Sequence, residues 1–473
     1  MITLNVQVGR NLCFVWIFIC FGSFILFRNR TNLPEEQTVS DRPSQQPIST
    51  ESLILKTPYQ TLSSIPLQWK PGESPRTTIA EPSVPGFTLF HNLYVFNHTF
   101  YVVTSTPELV PSSGRIISNG IDSWNKRNGK LPTEKDLAII SPEEADDIFG
   151  RSANTLGGVS FLQTDGPELL HHSRWYNFFV EIFALWQWRC YTSPDFDEFL
   201  GGQTRELPTR YIFPRVTQAQ WKDGRGMNTW IMEAILGPVA IRFQDDWNIR
   251  MKQGDVLMLE HAAIGDLTAK RRDLEDALYR KPGFPFPLRI RTGWWESIRD
   301  RVLSHTPRSP LMVPSNDQDN GYTVTYISRQ STGRRLRQRD HSRLVDALRS
   351  LCDVHGYHLQ VLNTDKMTLV EQIMAISRTT VLIGVHGNDL AGQLWVRPTQ
   401  RSTIIEIFSP GGFIYDYEYC SRALGHKYYG IWMDRFFTTS DLPPVSIPNG
   451  FHSHDIPVNA ETITSIIYHR LSM

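Results

Sequence analysis

The sequence predicts an α/β protein with two folded domains, preceded by a transmembrane helix and a disordered stem. Three observations lead to this prediction. The chain has 473 residues, 40% of them apolar and 20% charged, which is more than one ordinary hydrophobic core accommodates. Strand and helix patterns alternate through the second half of the chain. Ahead of both domains lie an uncharged apolar run and then a proline-rich segment.

The apolar run occupies residues 12–27, which read LCFVWIFICFGSFILF, behind a short tail of residues 1–11. As a helix it would be about 24 Å long, which suits the thinner bilayers of the secretory pathway. A cleaved signal peptide and a buried core helix are alternatives. We interpret the run as an uncleaved signal-anchor, because no small-residue cleavage site follows Phe27. Arginines flank it on both sides, so its orientation stays open.

Residues 28–82 are rich in proline, serine, threonine, glutamine and glutamate. Such a composition buries too little apolar surface to offset the entropy of ordering, so the segment is predicted to be a disordered stem or linker. Anchor, stem and globular domains in this order are typical of a single-pass enzyme of the Golgi or endoplasmic reticulum membrane. We therefore expect the catalytic part in the lumen, where the sequon at Asn97 could carry a glycan.

Composition and motifs exclude several classes of protein. The 48 basic and 48 acidic side chains cancel, so no net field attracts a nucleic acid, and none is expected as a partner. The five cysteines form no C-x-x-C pair, which argues against a zinc module. The pairing of Cys190, Cys352 and Cys420 stays open. The chain also lacks G-x-S-x-G, H-E-x-x-H and Walker-type sequences, so the residues of those enzyme classes are missing.

The second half of the chain alternates strands and helices. Short β-branched or continuously apolar runs predict the strands, and amphipathic runs predict the helices between them. A capping box at residues 368–371 marks the start of one helix. The predicted strands are 322–327, 358–362, 380–385 and 403–408, and the helices are 341–352, 369–376 and 389–395. This order predicts a doubly wound parallel sheet, which binds ligands at the carboxyl ends of its strands.

The loop after the first of these strands, SRQSTGRRLRQR, is rich in arginine. Guanidinium groups bind phosphate oxygens through two parallel hydrogen bonds. Arg329, Arg334 and Arg335 are therefore candidate phosphate ligands. A solvated basic surface is the alternative interpretation.

The loop after the third strand reads GVHGNDL, at residues 384–390. Its two glycines allow close backbone approach, and the helix that follows would direct free N–H groups at an anion. His386 lies between the glycines, where it could donate to a phosphoryl oxygen. Packing explains a histidine at this position poorly, so we favour a functional role over a structural one.

Glu406 lies near the end of the next strand, in the sequence TIIEIFSPGGF. A carboxylate in this position can accept hydrogen bonds from ribose hydroxyls, as acidic residues do in dinucleotide sites. A surface glutamate at the edge of the sheet is the alternative. Two phosphate subsites and one ribose subsite on successive strand ends together predict a nucleotide site.

These motifs resemble glycosyltransferase family 61, in particular its fungal-type members. The resemblance is carried by YISR and GRRL, then by GVHGNDL with WVRP downstream, and then by STIIEIFSPGGF. The segment VPGFTLFHNLYVFNHTFYVVT at residues 84–104 is similar to the opening of the family's amino-terminal domain. The resemblance implies a GT-B-like architecture of two Rossmann-like domains that face a cleft. We assign them to residues 83–310 and 311–458, with a terminal helix at 459–473.

The same resemblance implies an activity and a set of site residues. Family members invert the anomeric centre when they transfer a sugar from a UDP-sugar, and relatives transfer xylose or N-acetylglucosamine to glycans or glycoproteins. No cofactor is implied beyond the UDP-sugar as co-substrate. By position, the residues expected to line the donor site are Arg329, Arg334, His386, Gly387, Asn388 and Glu406.

Metal dependence is not expected. Two D-x-D tripeptides begin at Asp195 and Asp317, but neither follows a convincing buried strand, and we interpret both as surface loops. An arginine and histidine cluster can neutralise a leaving diphosphate without a divalent cation.

The acceptor side is predicted in the first domain, on the aromatic-rich segment 171–190. Glu181 lies between apolar neighbours, and burial would raise its pKa toward a value that suits a general base. The family carries a similar glutamate in an H-F-x-x-E-like motif, although Asn177 stands near the usual histidine. A structural helix is the alternative, and His171 or His172 could replace Glu181 as base.

One residue departs from the family pattern. Asp389 follows the H-G-N sequence, where a small glycine is usual. A carboxylate beside a diphosphate is electrostatically unfavourable unless it points away or binds a cation. An inactive family relative that serves as a binding or scaffold subunit is therefore the alternative function.

Overall fold

The structure is a computed structural model that describes residues 64–120, 131–167, 208–221, 227–236, 240–272, 293–306, 321–331, 333–452 and 454–472. The predicted anchor at 12–27 and the predicted base Glu181 lie outside these residues, as do both D-x-D tripeptides. Within the described ranges, no helix combines the length and the apolar character needed to cross a bilayer.

Nine strands of the described chain form the first sheet, in the order β5-β4-β3-β9-β6-β7-β8, with β1 beside β6 and β2 beside β3. The strands are β1 (Ile65–Gln68), β2 (Thr78–Val84), β3 (Phe87–Phe96), β4 (Thr99–Val103), β5 (Leu137–Ile140), β6 (Ser152–Gln163), β7 (Arg210–Ile212), β8 (Ala240–Arg242) and β9 (Leu257–Gly265). Strands β9, β6, β7 and β8 are parallel neighbours, whereas β3 is antiparallel to both β4 and β9. The first sheet is therefore mixed.

The mixed sheet corrects the expectation of two Rossmann-like domains. Strands β3 and β4 form a hairpin, because Asn97 and His98 adopt φ values of 46° and 66° at its tip. Two successive left-handed residues are the geometry of a tight hairpin turn whose twist matches the flanking strands. The same asparagine that suggested a sequon thus reverses the chain.

The amino-terminal boundary of the folded part is also corrected. The stem was predicted to extend to residue 82, but β1 and β2 lie within this segment and pair with β6 and β3. Each of them contains a proline, Pro66 or Pro82. Proline is tolerated in such strands where its missing N–H faces away from the neighbour. Composition alone therefore could not separate the stem from these strands.

The α-helices described in this lobe are α1 (Ser113–Ile116), α2 (Pro142–Phe149), α3 (Met227–Leu236), α4 (Gln244–Lys252), α5 (Leu267–Arg272) and α6 (Glu296–Ser304).

Two buried aspartates lie directly after strands of the first sheet and bind backbone N–H groups there. Asp165 accepts hydrogen bonds from the N–H groups of Leu267 and Thr268, at the start of α5, at 2.7 and 3.0 Å. Asp266 accepts from the N–H of Ser118 at 2.8 Å. Both aspartates thus hold neighbouring backbone segments in place through hydrogen bonds to their N–H groups.

In the described chain the second sheet has six strands, in the order β11-β10-β12-β13-β14-β15. They are β10 (Thr323–Ile327), β11 (His358–Leu362), β12 (Val381–Val385), β13 (Thr403–Ile407), β14 (Lys427–Trp432) and β15 (Arg435–Phe437). The first five are parallel and β15 is antiparallel to β14. This sheet confirms the predicted doubly wound topology and every predicted strand to within one residue at each end.

The α-helices described in the second lobe are α7 (Gln338–His355), α8 (Leu369–Ile376), α9 (Asp416–Leu424) and α10 (Ala460–Ser472). The predicted helices at 341–352 and 369–376 are confirmed as α7 and α8, and the one at 389–395 forms as a 3-10 helix, Asn388–Trp395. Helix α9 was not predicted. The predicted capping box forms, with the Thr368 hydroxyl and the Glu371 carboxylate bonded reciprocally to backbone N–H groups. Asn459 caps α10 by accepting from the N–H of Thr462 at 2.8 Å. The apolar face of α10 packs on this lobe beside α7.

Two adjacent tryptophans connect the lobes. Trp294 and Trp295 precede α6 and are buried, with 1% and 4% of their surface exposed. Their indole N–H groups donate to the carbonyls of Ala423 and Leu394, at 2.9 and 3.1 Å. Both belong to an apolar cluster that runs without interruption from the first sheet to the second. The two sheets therefore share one core.

We expect Trp294→Ala to lower the free energy of unfolding by about 3–5 kcal/mol, because it leaves a cavity and an unpaired carbonyl in this shared core. Denaturant unfolding followed by fluorescence and circular dichroism measures the effect. Phe436→Ala, at a side chain that is 52% exposed, is the control and should cost less than about 1 kcal/mol. Equal losses for the two variants would contradict the role of Trp294.

Candidate functional site

The strand order of the second sheet defines where a ligand should bind. The chain leaves β10 toward β11 on one side and continues to β12 on the other side of β10. In open parallel sheets, ligands bind at such a switch point, outside the carboxyl ends of the two strands. The loops that follow β10 and β12 are the arginine-rich loop and the GVHGNDL loop. The predicted phosphate subsites therefore lie at one position in the fold.

The two loops are bonded to each other through two arginines. Arg329 Nη1 lies 2.5 Å from Oδ2 of Asp389, and its Nε donates to the carbonyl of Arg334 at 3.3 Å. Arg334 Nη1 donates to the carbonyl of His386 at 3.2 Å. Among the described residues, Arg334 has no carboxylate partner within ion-pair distance. Arg334 is therefore a half-buried cation whose charge no ion pair neutralises within the described residues.

Gly387 explains how the loops approach so closely. Its φ of 155° is one that side-chain-bearing residues rarely adopt, and a Cβ built on it would lie 2.8 Å from Nη1 of Arg329. A larger residue would push the guanidinium away from the loop. The sequence predicted close approach to the backbone at this glycine, and the group that approaches it is the guanidinium of Arg329.

His386 is bonded to Glu406, which lies on the neighbouring strand β13. The Nδ1 of His386 lies 2.5 Å from Oε1 of Glu406, and Oε2 of Glu406 accepts from the Tyr428 hydroxyl at 2.7 Å. The histidine is 6% exposed and the glutamate 0%. Since Nδ1 is used, Nε2 is the nitrogen that remains for a ligand.

Aromatic rings surround the imidazole. Phe408 stacks on it with ring centroids 5.1 Å apart, and Phe451 and Tyr417 approach at 5.2 and 5.7 Å. Such packing fixes the ring plane and excludes water from its faces. Contacts within the protein therefore set the orientation of the imidazole.

The electrostatics of the site favour a neutral histidine and a neutral glutamate. Burial, followed by the charges of Arg334 and Arg329, lowers the pKa of His386 well below its ordinary value. Burial raises the pKa of Glu406 to about 8, against opposing effects of Tyr428 and Arg334. Burial and the neighbouring Arg329 also lower the pKa of Arg334. The positive charge of this site thus comes from its arginines.

The predicted site residues differ in burial and in the contacts they make. Arg335 is exposed, and its carbonyl accepts from the N–H of Ile456 on a different segment. Asn388 is exposed beside Gly387. Glu406 is 0% exposed, and its carboxylate oxygens are bonded inside the protein to His386 and Tyr428. The ribose contact stays a prediction, and the contacts that the structure shows for Glu406 are those that support His386.

Several site residues were not anticipated from the sequence. Tyr428 comes from β14, Tyr417 from α9 and Phe451 from a distant loop. His452 follows Phe451, and burial and the nearby Arg334 lower its pKa. No local pattern marks these positions, because they reach the site only through the order of the strands. Within the described chain, no cluster of three histidine, cysteine, aspartate or glutamate side chains could hold a metal ion.

The fold is that of an α/β protein, and two arginines with a buried histidine at the switch point of a doubly wound sheet are the arrangement expected of a phosphate or nucleotide site. The family model described as Glycosyltransferase 61 matches residues 205–405. This segment contains Arg329, Arg334, His386 and Asp389, and ends one residue before Glu406. The match supports the predicted resemblance to family 61 over this segment. None of the curated proteins compared with the chain matches it.

Proposed function

We propose that this glycosyltransferase transfers xylose or N-acetylglucosamine from a UDP-sugar to a hydroxyl group of a glycan or glycoprotein, with inversion. The observation that carries the proposal is Arg334, a half-buried guanidinium at the switch point without a carboxylate partner among the described residues. A diphosphate supplies the missing anion, and paired donors on arginine match phosphate oxygens.

The chemistry follows from what the leaving group needs. The acceptor oxygen bonds to the anomeric carbon while the bond from that carbon to the β-phosphate oxygen breaks, so negative charge develops on UDP. Arg334 and Nε2 of His386 stabilise this charge in a site shielded from water. The acceptor proton passes to a general base, for which we propose Glu181, in a segment outside the described residues.

We further propose that the protein acts in the lumen of the Golgi or endoplasmic reticulum, held by the predicted anchor at residues 12–27. Glycan and glycoprotein acceptors occur in this compartment. The proposal rests on the sequence pattern alone, and membrane extraction with carbonate compared with detergent tests it.

Release of UDP from a panel of UDP-sugars tests the activity. We expect one sugar nucleotide to be turned over, with the same rate in EDTA, and His386→Ala to reduce the rate by at least a hundredfold, as loss of a charge-stabilising donor does. UDP at 100 times its dissociation constant should stabilise the fold by about 2.7 kcal/mol. Absence of both turnover and stabilisation with every nucleotide would refute the proposal.

An inactive relative that acts as a binding or scaffold subunit is the second candidate. One observation favours it. Asp389 forms an ion pair with Arg329, so this guanidinium already has a carboxylate partner. Such a protein would show neither UDP release nor nucleotide-dependent stabilisation. The same assays therefore separate the two functions.

A further inference from the structure

The contacts of Glu406 indicate a role that rests on the proposed function of the same site. Glu406 lies in the middle of the parallel sheet, on β13, and is 0% exposed. Its two oxygens are divided between His386 Nδ1 at 2.5 Å and the Tyr428 hydroxyl at 2.7 Å. A buried carboxylate placed in this way cannot contact a substrate. It can act only through the imidazole.

The direction of the hydrogen bond between Glu406 and His386 decides what Nε2 can do. A protonated Glu406 donates to Nδ1, and the neutral imidazole then carries its proton on Nε2, which becomes a donor. An ionised Glu406 accepts from Nδ1–H, and Nε2 then presents a lone pair. Because the pKa of His386 is lowered well below its ordinary value, the imidazole is neutral. Of these two forms of the neutral imidazole, only the first can donate to an oxygen of a bound diphosphate.

We propose that Glu406 and Tyr428 are positioning residues that hold His386 in the form with the proton on Nε2, ready to donate to the diphosphate of the sugar donor. Tyr428 donates to Glu406 in either state and fixes the second oxygen, so that Oε1 remains directed at Nδ1. The aromatic rings around His386 hold the imidazole in the plane that this bond requires.

The titratable surroundings support the protonated glutamate at neutral pH. Burial raises the pKa of Glu406 to about 8, and burial with two arginines lowers that of His386. The charged and titratable groups around this pair come from every neighbouring element: Arg329 and Arg334 after β10, Asp389 after β12, Asp416, Tyr417 and Glu418 on α9, Tyr428 on β14, and His452 before α10. Arg334 acts on the pKa of both members of the pair, Arg329 on that of His386 and Tyr428 on that of Glu406. As pH rises through about 8, Glu406 loses its proton and Nε2 ceases to donate.

The proposal predicts a pH dependence of UDP binding that isothermal titration calorimetry measures. If only the protonated form binds, affinity falls with its population, by about tenfold between pH 7 and pH 9 for a pKa of about 8. The second ionisation of a phosphate lies near pH 6, below this window. Wild-type protein should therefore bind UDP distinctly more weakly at pH 9.

Glu406→Gln is the decisive variant. A glutamine amide can donate to Nδ1 and accept from Tyr428 at any pH, so the variant should bind UDP at pH 7 within about threefold of wild type and lose the pH dependence. Glu406→Leu should bind weakly at both pH values. Glu461→Gln, the same change at an exposed glutamate on α10, is the control and should keep the wild-type profile.

Tyr428→Phe tests the role of Tyr428, whose hydroxyl is bonded to Glu406. It should retain UDP binding at pH 7 but shift the pH profile upward, because Glu406 loses a donor that stabilises its ionised form. Tyr326→Phe removes a similar buried hydroxyl, bonded to His341 at 3.1 Å, and should leave the profile unchanged.

The outcomes separate this inference from the proposed function. A Glu406→Gln variant with the wild-type pH slope, or one that folds but does not bind UDP, would overturn the positioning role while leaving sugar transfer intact. Absence of UDP binding by wild type would refute the proposed function. In that case ¹⁵N-histidine spectra of the unliganded protein, assigned with His386→Gln, still decide the inference: a proton on Nδ1 at pH 7 overturns it.

Discussion

Replacing Arg334 with alanine is expected to weaken UDP binding by about 30- to 1,000-fold, which corresponds to about 2–4 kcal/mol. The guanidinium is half-buried, donates only to the carbonyl of His386 among described residues, and has no ion pair there. A diphosphate beside it gains charge-assisted hydrogen bonds in surroundings where water screens them weakly. Calorimetry with UDP, and UDP release from the active sugar nucleotide, measure the loss.

Arg335→Ala is the matched control for this experiment. Arg335 is the next residue along the same loop and has the same charge, but its side chain is exposed. Removing an exposed charge at this distance should change the affinity by less than about threefold at 0.15 M salt. If both variants lost affinity equally, the basic loop would act only through its net charge, and the assigned role of Arg334 would be wrong.

The sequence predicted the second lobe well because local rules dominate there. Buried parallel strands are continuous apolar runs of β-branched residues, and they are hard to confuse with the amphipathic helices between them. The capping box at Thr368 and the cap at Asn459 form as the residue types require. In a doubly wound sheet, strand ends also converge by topology. The meeting of Arg329, Arg334 and His386 therefore followed from the strand assignment.

What the sequence did not predict depends on contacts between distant segments. Glu406 was assigned to ribose because a strand pattern does not reveal that Tyr428, on the next parallel strand, takes its second oxygen. The choice between Arg334 and Arg335 rests on which side of an irregular loop each residue faces. The first lobe differed for a related reason: the Asn97–His98 turn makes a hairpin there, and its proline-containing edge strands resemble linker.

The partner of Asp389 also lies on a distant segment, and their contact predicts the second large effect on UDP affinity. The sequence identified Asp389 as a departure from the family pattern, but the partner was not predictable. In the structure its carboxylate lies 2.5 Å from Arg329, and both side chains are mostly buried, at 19% and 14% exposed. The charge of this carboxylate is thus compensated by Arg329. Under the proposed function, an incoming diphosphate must compete with Asp389 for that arginine.

We therefore expect Asp389→Asn to bind UDP about 5- to 30-fold more tightly than wild type, a gain of about 1–2 kcal/mol. The amide can still accept from Arg329, so the loop keeps its geometry, while the guanidinium charge becomes available and the repulsion of the phosphates disappears. Calorimetry at two salt concentrations measures the gain. It should shrink at high salt, because the added attraction is electrostatic.

Asp346→Asn provides the control, because Asp346 forms a surface pair with Arg349 at 3.2 Å and lies on α7. It should leave UDP affinity unchanged. Weaker binding by Asp389→Asn would mean that the carboxylate orients Arg329 for the ligand and does not compete with it. If wild type bound no nucleotide and Asp389→Asn did, the ion pair would itself be what keeps the site closed to UDP. A site of this kind would then lose nucleotide binding through one residue, with the arginines and the histidine still in place.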